Sequence, residues 1–225
     1  MEGLPVTIRL LDPPLHEFLP SEEKDIKALA AEMDVSHEKL QRKIESLHEE
    51  NPMLGHRGCR LSLTYPEICE MQVEAIIGAA CAVKKDGVDV RPEIMIPLTG
   101  ARRELADLRK LSIKIATATI AKAGVEVDYL VGTMIEIPRA ALLADRMAEV
   151  ADFFSFGTND LTQMAFGYSR DDAGVFLPDY VSKGILPNDP FQQLDQEGVG
   201  QLVEMACVKG RQTNPDLHLG ICGEH

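Results

Sequence analysis

Residues 128–166, DYLVGTMIEIPRAALLADRMAEVADFFSFGTNDLTQMAF, determine the fold class. Two apolar runs, at 128–137 and 153–159, enclose a segment with helical spacing that begins at Pro138. Proline is favoured in the first turn of a helix, and short apolar strands that alternate with helices are typical of parallel βαβ units. This stretch therefore predicts an α/β protein with a parallel sheet.

The same alternation of strands and helices continues on both sides of this unit. Further strands are predicted at 5–11, 92–98 and 217–222, and further helices at 66–85, 101–122 and 198–210. Residues 53–63 are interpreted as a strand or a loop, and a further strand is expected within 163–187. In the helix that begins at Pro66 we expect a buried face made of Ile68, Met71, Ala75, Ile76, Ala79 and Val83.

Two more helices interrupt this alternation after the first strand. SEEKDIKALAAEM begins at Ser21, which is placed to cap the helix, and HEKLQRKIESLHEE puts Leu40, Ile44 and Leu47 on one face. We interpret residues 15–50, approximately, as a helical insertion in one domain that spans 1–225.

Two architectures fit this order of elements, a (β/α)8 TIM-type barrel and an open, doubly wound sheet. The sequence has neither G-x-G-x-x-G after the first strand nor a Walker A motif, which weakens the nucleotide-binding open sheet. We therefore predict the barrel. Because the last residues, LHLGICGEH, stop just past a strand, we expect a fragment that is truncated before the last strand and helix of the barrel.

The composition excludes several classes of protein. Hydrophobic residues make up 45% of the 225 residues and charged residues 26%, which excludes a disordered or collagen-like chain. The net charge of −13 disfavours nucleic acid and anionic lipid as partners, since both are polyanions. Five cysteines without a C-x-x-C pair, and no apolar run of about 18 residues, favour a cytoplasmic protein without a membrane span.

Two arginines are candidates for ligand binding. In a barrel, functional groups collect at the carboxyl ends of the strands. Arg9 interrupts the first apolar strand, where it forms either a structural ion pair with Asp12 or a clamp for a phosphoryl group. Arg57 lies in GHRG, whose glycines let a ligand approach the backbone closely.

Two carboxylates and a thiol complete the candidate set. Glu136 in MIEIP and Asp160 in GTNDL both lie at strand ends, a pair suited to Mg²⁺, although Asp160 alone is also suited to capping a helix. Cys222 is either an inert thiol of the core or a group for proton transfer that Glu224 and His225 tune.

Five blocks of the sequence resemble the phosphoenolpyruvate (PEP)-utilising enzymes, and among them the pyruvate phosphate dikinase family; they lie at 3–20, 51–61, 132–142, 153–172 and 220–225. Phosphoenolpyruvate synthase and enzyme I of the sugar phosphotransferase system are similar in the barrel, the arginine loop, the MIE strand and the GTNDL turn. The segment LLDPPLHEF is similar to the dikinases and not to these relatives. The resemblance covers almost the whole chain and implies the C-terminal barrel, which binds PEP and pyruvate.

The resemblance also implies a role for each candidate residue. Arg9 and Arg57 would hold the phosphoryl group, Glu136 and Asp160 would bind Mg²⁺, and Cys222 would be the proton donor. The other substrate-binding positions that it implies are Met134, Gly157, Thr158 and Asn159.

The implied reaction is Mg²⁺-dependent phosphoryl transfer between a phosphohistidine on another domain and the enolate of pyruvate. The whole enzyme would convert ATP, phosphate and pyruvate to AMP, diphosphate and PEP, which a fragment alone is not expected to do. The family further implies a homodimer through this domain, in the cytoplasm or in a plastid or other organelle of a eukaryote. Two alternatives stay open: a lyase barrel for a 2-oxo acid, in which a second phosphate-directed arginine is surplus, and a dimerising scaffold without catalysis.

Overall fold

A computed structural model describes residues 1–224, apart from the side chain of residue 16. Five parallel strands form one sheet, curled into a half-barrel, and each strand pairs with the next one along the chain. The strands are β1 (Pro5–Arg9), β2 (Arg91–Ile96), β3 (Leu130–Ile135), β4 (Phe153–Phe156) and β5 (His218–Ile221). The α/β class is thereby confirmed. The sequential strand order is consistent with a truncated TIM-type barrel, whereas a doubly wound sheet reverses its order at a switch point.

Ten α-helices accompany the sheet within the described residues. They are α1 (Glu23–Glu32), α2 (His37–Leu47), α3 (Gly58–Thr64), α4 (Pro66–Lys85), α5 (Arg102–Ala123), α6 (Pro138–Leu142), α7 (Ala144–Ala148), α8 (Thr158–Phe166), α9 (Leu177–Ser182) and α10 (Val199–Thr213). Short 3-10 turns lie at Leu15–Phe18, Pro52–Leu54 and Ala173–Val175. Among these residues, none of the helices combines the length and the apolar character that a bilayer crossing requires.

The main core lies between the sheet and the helices that connect its strands. Ile94, Ile135 and Phe154, one from each central strand, are fully buried in one cluster with side chains of α4, α5, α7 and α10. Burial of this apolar surface is the main force that holds the strands in register. The sheet therefore provides a rigid base for the residues that follow each strand.

The α1–α2 hairpin has a small core of its own, formed by Ile26, Ala30 and Leu40. Ser36 caps α2, because its hydroxyl accepts a hydrogen bond from the backbone N–H of Lys39 at 3.3 Å. The predicted cap of α1 by Ser21 is wrong, since Glu22 precedes this helix and no side chain caps it.

Two segments, one predicted as a strand or a loop and one expected to contain a strand, are largely helical in the structure. Residues 53–63 include most of the 3-10 turn and most of α3, and 163–187 contain the end of α8, another 3-10 turn and α9. In the first case Gly58 has a φ of +56°, and a Cβ at this position would lie 2.8 Å from the Cβ of Leu98. Only glycine permits this close start of a helix, so the glycines of GHRG mark a turn and not a strand.

The buried face of α4 is also different from the predicted one. Its buried residues are Cys69, Val73, Ile77, Ala80 and Cys81, whereas Met71 is 64% and Val83 is 41% exposed. The helix is apolar on more than one side, so its spacing alone did not identify the face that packs against the sheet. Small cysteine and alanine side chains carry much of the contact.

Candidate active site

A pocket of about 420 Å³ lies at the carboxyl ends of the strands. Five of the nine predicted site residues line it, namely Arg9, Met134, Asn159, Asp160 and Cys222. They follow or belong to different strands, and the parallel sheet brings them together at one edge. The other four, Arg57, Glu136, Gly157 and Thr158, are not part of this lining. Arg57, Glu136 and Thr158 are among the buried polar residues.

Arg57 is held by protein acceptors on every side. Its Nε donates to the carbonyl of Asp12 at 3.3 Å, Nη1 to the carbonyl of Met53 at 3.3 Å, and Nη2 to Asp12 Oδ2 at 2.7 Å and Asp160 Oδ2 at 3.2 Å. The residue is only 4% exposed. Burial by itself would lower the pKa of the guanidinium, but the charges of Asp12 and Asp160 outweigh it and raise the pKa.

Arg9 differs from Arg57 in its exposure. Its side chain is 46% exposed, and one Nη1 contact of 3.2 Å joins it to Asp12 Oδ2. The ion pair with Asp12 that the sequence suggests is therefore present. Because Arg9 also lines the pocket, it can reach a ligand there while it keeps this contact.

Glu136 is the most buried acid of the site. It is 1% exposed, and Oε1 accepts the backbone N–H of Leu98 at 2.6 Å, while the buried Oε2 has no hydrogen-bond partner. Leu98 has a φ of +62°, an uncommon conformation for a residue other than glycine. Burial raises the pKa of Glu136 to about 8, and the charges of Asp160 and Asp12 add to this effect.

The donor set of Glu136 and Asp160 fits a divalent cation. A Cβ at Gly157 would lie 2.5 Å from Glu136 Oε2, so this glycine keeps space beside the unpartnered oxygen. Among residues 1–224 no group of three or more His, Cys, Asp or Glu side chains forms a metal cage. An ion held here would keep most of its coordination positions for water and substrate, as is usual for Mg²⁺.

Asp160 does not cap α8. It lies in the first turn of the helix, whose cap residue is Gly157, and no side chain makes a cap hydrogen bond. Its Oδ2 accepts from Arg57, and the amide of Gln163 lies 3.5 Å from its Oδ1. The carboxylate is thus available to the pocket.

The start of α8 and the segment after β5 are joined to each other. The backbone N–H of Glu224 donates to Asn159 Oδ1 at 3.3 Å, and the carboxylate of Glu224 forms an ion pair with Arg170 across the pocket. Glu224 is therefore occupied by an arginine and not by the thiol, in contrast to the expectation that it tunes Cys222. His225, the other predicted neighbour of the thiol, lies outside the described residues.

Cys222 presents its thiol to the pocket. Its Sγ lies 3.5 Å from the carbonyl oxygen of Phe156 in β4. Partial burial is the main effect that raises the pKa of the thiol; a hydrogen bond with Ser155 acts in the opposite direction, and the charge of Glu136 raises the pKa further. The sulfur consequently keeps its proton at neutral pH.

The sequence did not identify several residues of the pocket. Arg170 and Gln163 line it, and Met53 and Met95 add apolar surface beside Met134. Arg170 lies in an irregular stretch without strand or helix periodicity, so nothing in the local pattern marks it. Asp12, in contrast, is a polar residue just after a strand, which is the signal that identified the other candidates.

The sequence of this chain is similar to those of PEP-utilising enzymes. The profile described as "PEP-utilising enzyme, PEP-binding domain" matches residues 1–225. A chloroplastic pyruvate, phosphate dikinase 1 of Arabidopsis thaliana is 59% identical over 227 residues, and a pyruvate, phosphate dikinase of Clostridium symbiosum is 56% identical over 226 residues. Both alignments include 100% of this chain, but only 24% and 26% of those proteins. The chain thus spans about a quarter of the length of these relatives.

Proposed function

Since the chain belongs to the family of PEP-utilising enzymes, whose PEP-binding domain matches all of it, we propose that it binds PEP and pyruvate and supports phosphoryl transfer between a phosphohistidine of another domain and the enolate of pyruvate. The observation that carries this proposal is the assembly of two arginines, two carboxylates and a thiol around one pocket at the strand ends. The similar dikinases support pyruvate as the acceptor.

We infer separate tasks for the two kinds of charged group. Arg9 and Arg57 hold the phosphoryl group, since guanidinium groups match its geometry and its charge. Glu136 and Asp160 would hold Mg²⁺, which polarises the carbonyl and carboxylate oxygens of pyruvate and stabilises the charge of the enolate. Thr158 and Asn159, together with Gly157, bind the substrate carboxylate at the start of α8, since the N-terminal end of a helix favours an anion. Met134 borders the substrate on its apolar side.

The charge balance supports the need for a cation. The pocket and its buried surroundings bring together three guanidinium groups and four carboxyl groups, of Arg9, Arg57, Arg170, Asp12, Glu136, Asp160 and Glu224. Such a set has no excess of positive charge. An anionic substrate is therefore attracted only when a divalent cation joins the site, which agrees with the net charge of −13 of the chain.

Cys222 is proposed to move the proton. In the direction from PEP to pyruvate, the phosphoryl group leaves the enol oxygen for a histidine of another domain, and the Sγ–H of Cys222 protonates the methylene carbon of the enolate. In the opposite direction the thiol must first release its proton to solvent; the thiolate then removes a proton from the methyl group, and the enolate oxygen attacks the phosphohistidine. The raised pKa of the thiol favours its role as the donor.

The family also suggests the surroundings of the domain. We propose that it works with a phosphohistidine domain and an ATP-using domain of the same enzyme, as a homodimer. Its relatives include bacterial and chloroplastic dikinases, so we place it in the cytoplasm or in a plastid.

Calorimetry with oxalate, a mimic of the pyruvate enolate, tests this function on the chain itself. We expect oxalate and PEP to bind in the presence of Mg²⁺ or Mn²⁺ and not in the presence of a chelator. Binding of neither ligand with the metal, or equal binding without it, would contradict the proposed function.

A further inference from the structure

We propose that Asp12 is a positioning residue of this site: one oxygen of its carboxylate holds Arg9 and Arg57 together, so that both reach the phosphoryl group of the same ligand. This inference deepens the proposed function and rests on it. Asp12 lies behind the pocket lining and is only 6% exposed, and its carboxylate is an anion bonded to both guanidinium groups, so it acts through the arginines and not by touching the anionic ligand.

The contacts of Asp12 with the two arginines converge on a single atom. Oδ2 accepts from Arg57 Nη2 at 2.7 Å and from Arg9 Nη1 at 3.2 Å. The carbonyl oxygen of Asp12 accepts from Arg57 Nε at 3.3 Å as well. Arg57 is thus bound by Asp12 at two points, which sets both the position and the plane of its guanidinium group.

Asp12 itself is held in place by its neighbours in the chain and in space. Pro13 restricts the backbone of the preceding residue to extended conformations. The carbonyl of Asp12 accepts the N–H of Gly58 at 2.9 Å, and a Cβ at Gly58 would lie 3.3 Å from Asp12 Oδ1. The carboxylate of Asp12 is therefore held in a fixed position beside the start of α3. Its buried Oδ1 has no hydrogen-bond partner, a cost that a purely structural ion pair would ordinarily avoid.

The charge of Asp12 has two opposed effects. As an anion near the pocket it weakens the attraction of a phosphorylated ligand, but as a shared acceptor it lets two like-charged guanidinium groups lie close together. We infer that the second effect dominates, because Arg57 is buried and cannot be oriented by solvent. Removal of the carboxylate should therefore weaken binding of a phosphorylated ligand, although it removes a negative charge.

Calorimetry at saturating Mg²⁺ tests this inference on the 225-residue chain. Asp12→Asn keeps the shape of the side chain and removes its charge, and we expect the Kd of PEP to rise about tenfold or more, as is typical when a charge-assisted contact is lost. The Kd of oxalate, which lacks a phosphoryl group, should change less than about threefold. The control is Asp152→Asn at the opposite end of the sheet, since Asp152 also binds an arginine and a backbone N–H, of Arg109 and Val131.

A second variant separates position from charge. Asp12→Glu keeps the carboxylate but displaces it by one methylene group. Relative to the parent chain, the Kd of PEP should therefore again rise by a larger factor than the Kd of oxalate. Full PEP affinity in Asp12→Glu, or unchanged or tighter PEP binding in Asp12→Asn, would overturn the positioning role. Parallel losses for PEP and oxalate would also overturn it, because they indicate general damage to the fold.

Nuclear magnetic resonance provides a readout that needs no ligand. The Nη–H signals of Arg57, whose Nη2 donates to the carboxylate of Asp12, are assigned by their absence in Arg57→Lys. They should exchange slowly with solvent in the parent chain and in Asp152→Asn, and at least about tenfold faster in Asp12→Asn. Equal exchange rates would refute the proposed orientation of Arg57 by Asp12. If the parent chain bound neither PEP nor oxalate, the proposed function would fail, while this measurement would still decide whether Asp12 positions the arginine.

Discussion

The guanidinium group of Arg57 and the carboxylate of Asp160 form an ion pair, with 3.2 Å between Nη2 and Oδ2. Arg57, which we propose to bind the phosphoryl group, is thus paired with Asp160, which we propose to bind the metal. A cation on Asp160 competes with this pair, so metal binding and the release of an Arg57 donor are coupled.

This coupling predicts mutual enhancement of metal and PEP binding. The affinity for PEP should increase with the Mg²⁺ concentration, and by linkage the affinity for Mg²⁺ should increase by the same factor in the presence of PEP. Titration calorimetry of each ligand at several concentrations of the other measures this factor. Asp160→Asn should remove the enhancement; if the two ligands bound independently in the parent chain, the coupling would be absent.

The second prediction concerns Glu136 as a metal ligand. Glu136→Gln retains an acceptor for the N–H of Leu98 but loses the negative charge, so Mg²⁺-dependent binding of oxalate should fall below detection in calorimetry. Glu149→Gln is the control, because Glu149, the residue just after α7, is an acid that pairs with Arg102 outside the pocket. Oxalate binding at the parent level in Glu136→Gln would exclude this residue from the metal site.

The raised pKa of Glu136 predicts how stability depends on pH without metal. Between the ordinary value of 4.5 and about 8 the folded chain keeps this proton and the unfolded chain does not, so unfolding releases a proton. The contribution of Glu136 to the free energy of unfolding is therefore full below pH 4.5 and decreases as the pH rises to about 8. Thermal unfolding at several pH values should show this slope in the parent chain and a smaller one in Glu136→Gln. Identical slopes would mean that Glu136 does not bind the proton.

The two arginines should differ in their effect on stability. Arg57→Ala leaves the carboxylates of Asp12 and Asp160 without their buried partner and should reduce the free energy of unfolding by about 3–5 kcal/mol. Arg9→Ala removes a half-exposed side chain and should cost about 1 kcal/mol or less. Both should weaken PEP binding. Urea unfolding measures the difference, and equal losses of stability would contradict the structural part that we assign to Arg57.

The fifth prediction concerns proton transfer by Cys222. In a complete enzyme that contains this domain, Cys222→Ala should abolish exchange of the methyl protons of pyruvate with solvent, while ATP-dependent phosphorylation of the histidine continues. Cys207→Ala, on α10, is the matched control and should exchange at the parent rate. Exchange at the parent rate in Cys222→Ala would identify Cys222 as an inert thiol and leave another group as the base.

The elements with clear periodicity could be predicted from the sequence, and those that depend on tertiary contacts could not. Pro66 and Asp86 mark the ends of α4 correctly, yet the predicted buried face was wrong. The helix is apolar on more than one side, so its tertiary contacts decide which side packs against the sheet. GHRG looked like part of a strand or loop, since its helix begins at a glycine whose conformation depends on contact with Leu98.

In the candidate site, too, some features could be predicted from the sequence and others depend on tertiary contacts. The rule that polar residues after parallel strands share one edge brought Arg9, Asn159, Asp160 and Cys222 to one pocket. The rule does not say which polar groups pair with each other. The saturation of Arg57 by Asp12 and Asp160, and the pairing of Glu224 with Arg170, join residues far apart in the chain and required coordinates.

The pairing of each strand with its chain neighbour sets an order of assembly. Val131 and Asp152, which join β3 to the start of β4, are 21 residues apart, whereas Thr7 and Glu93, which join β1 to β2, are 86 residues apart with the α1–α2 hairpin between them. Closing the longer loop costs more entropy, so β1 is expected to dock late, onto a sheet that is already formed. The last event of folding would then bring Arg9 and Asp12 next to Glu136 and Asp160, the acids that follow β3 and β4. The part of the site that binds the phosphoryl group would thus form only when the tertiary structure is otherwise complete.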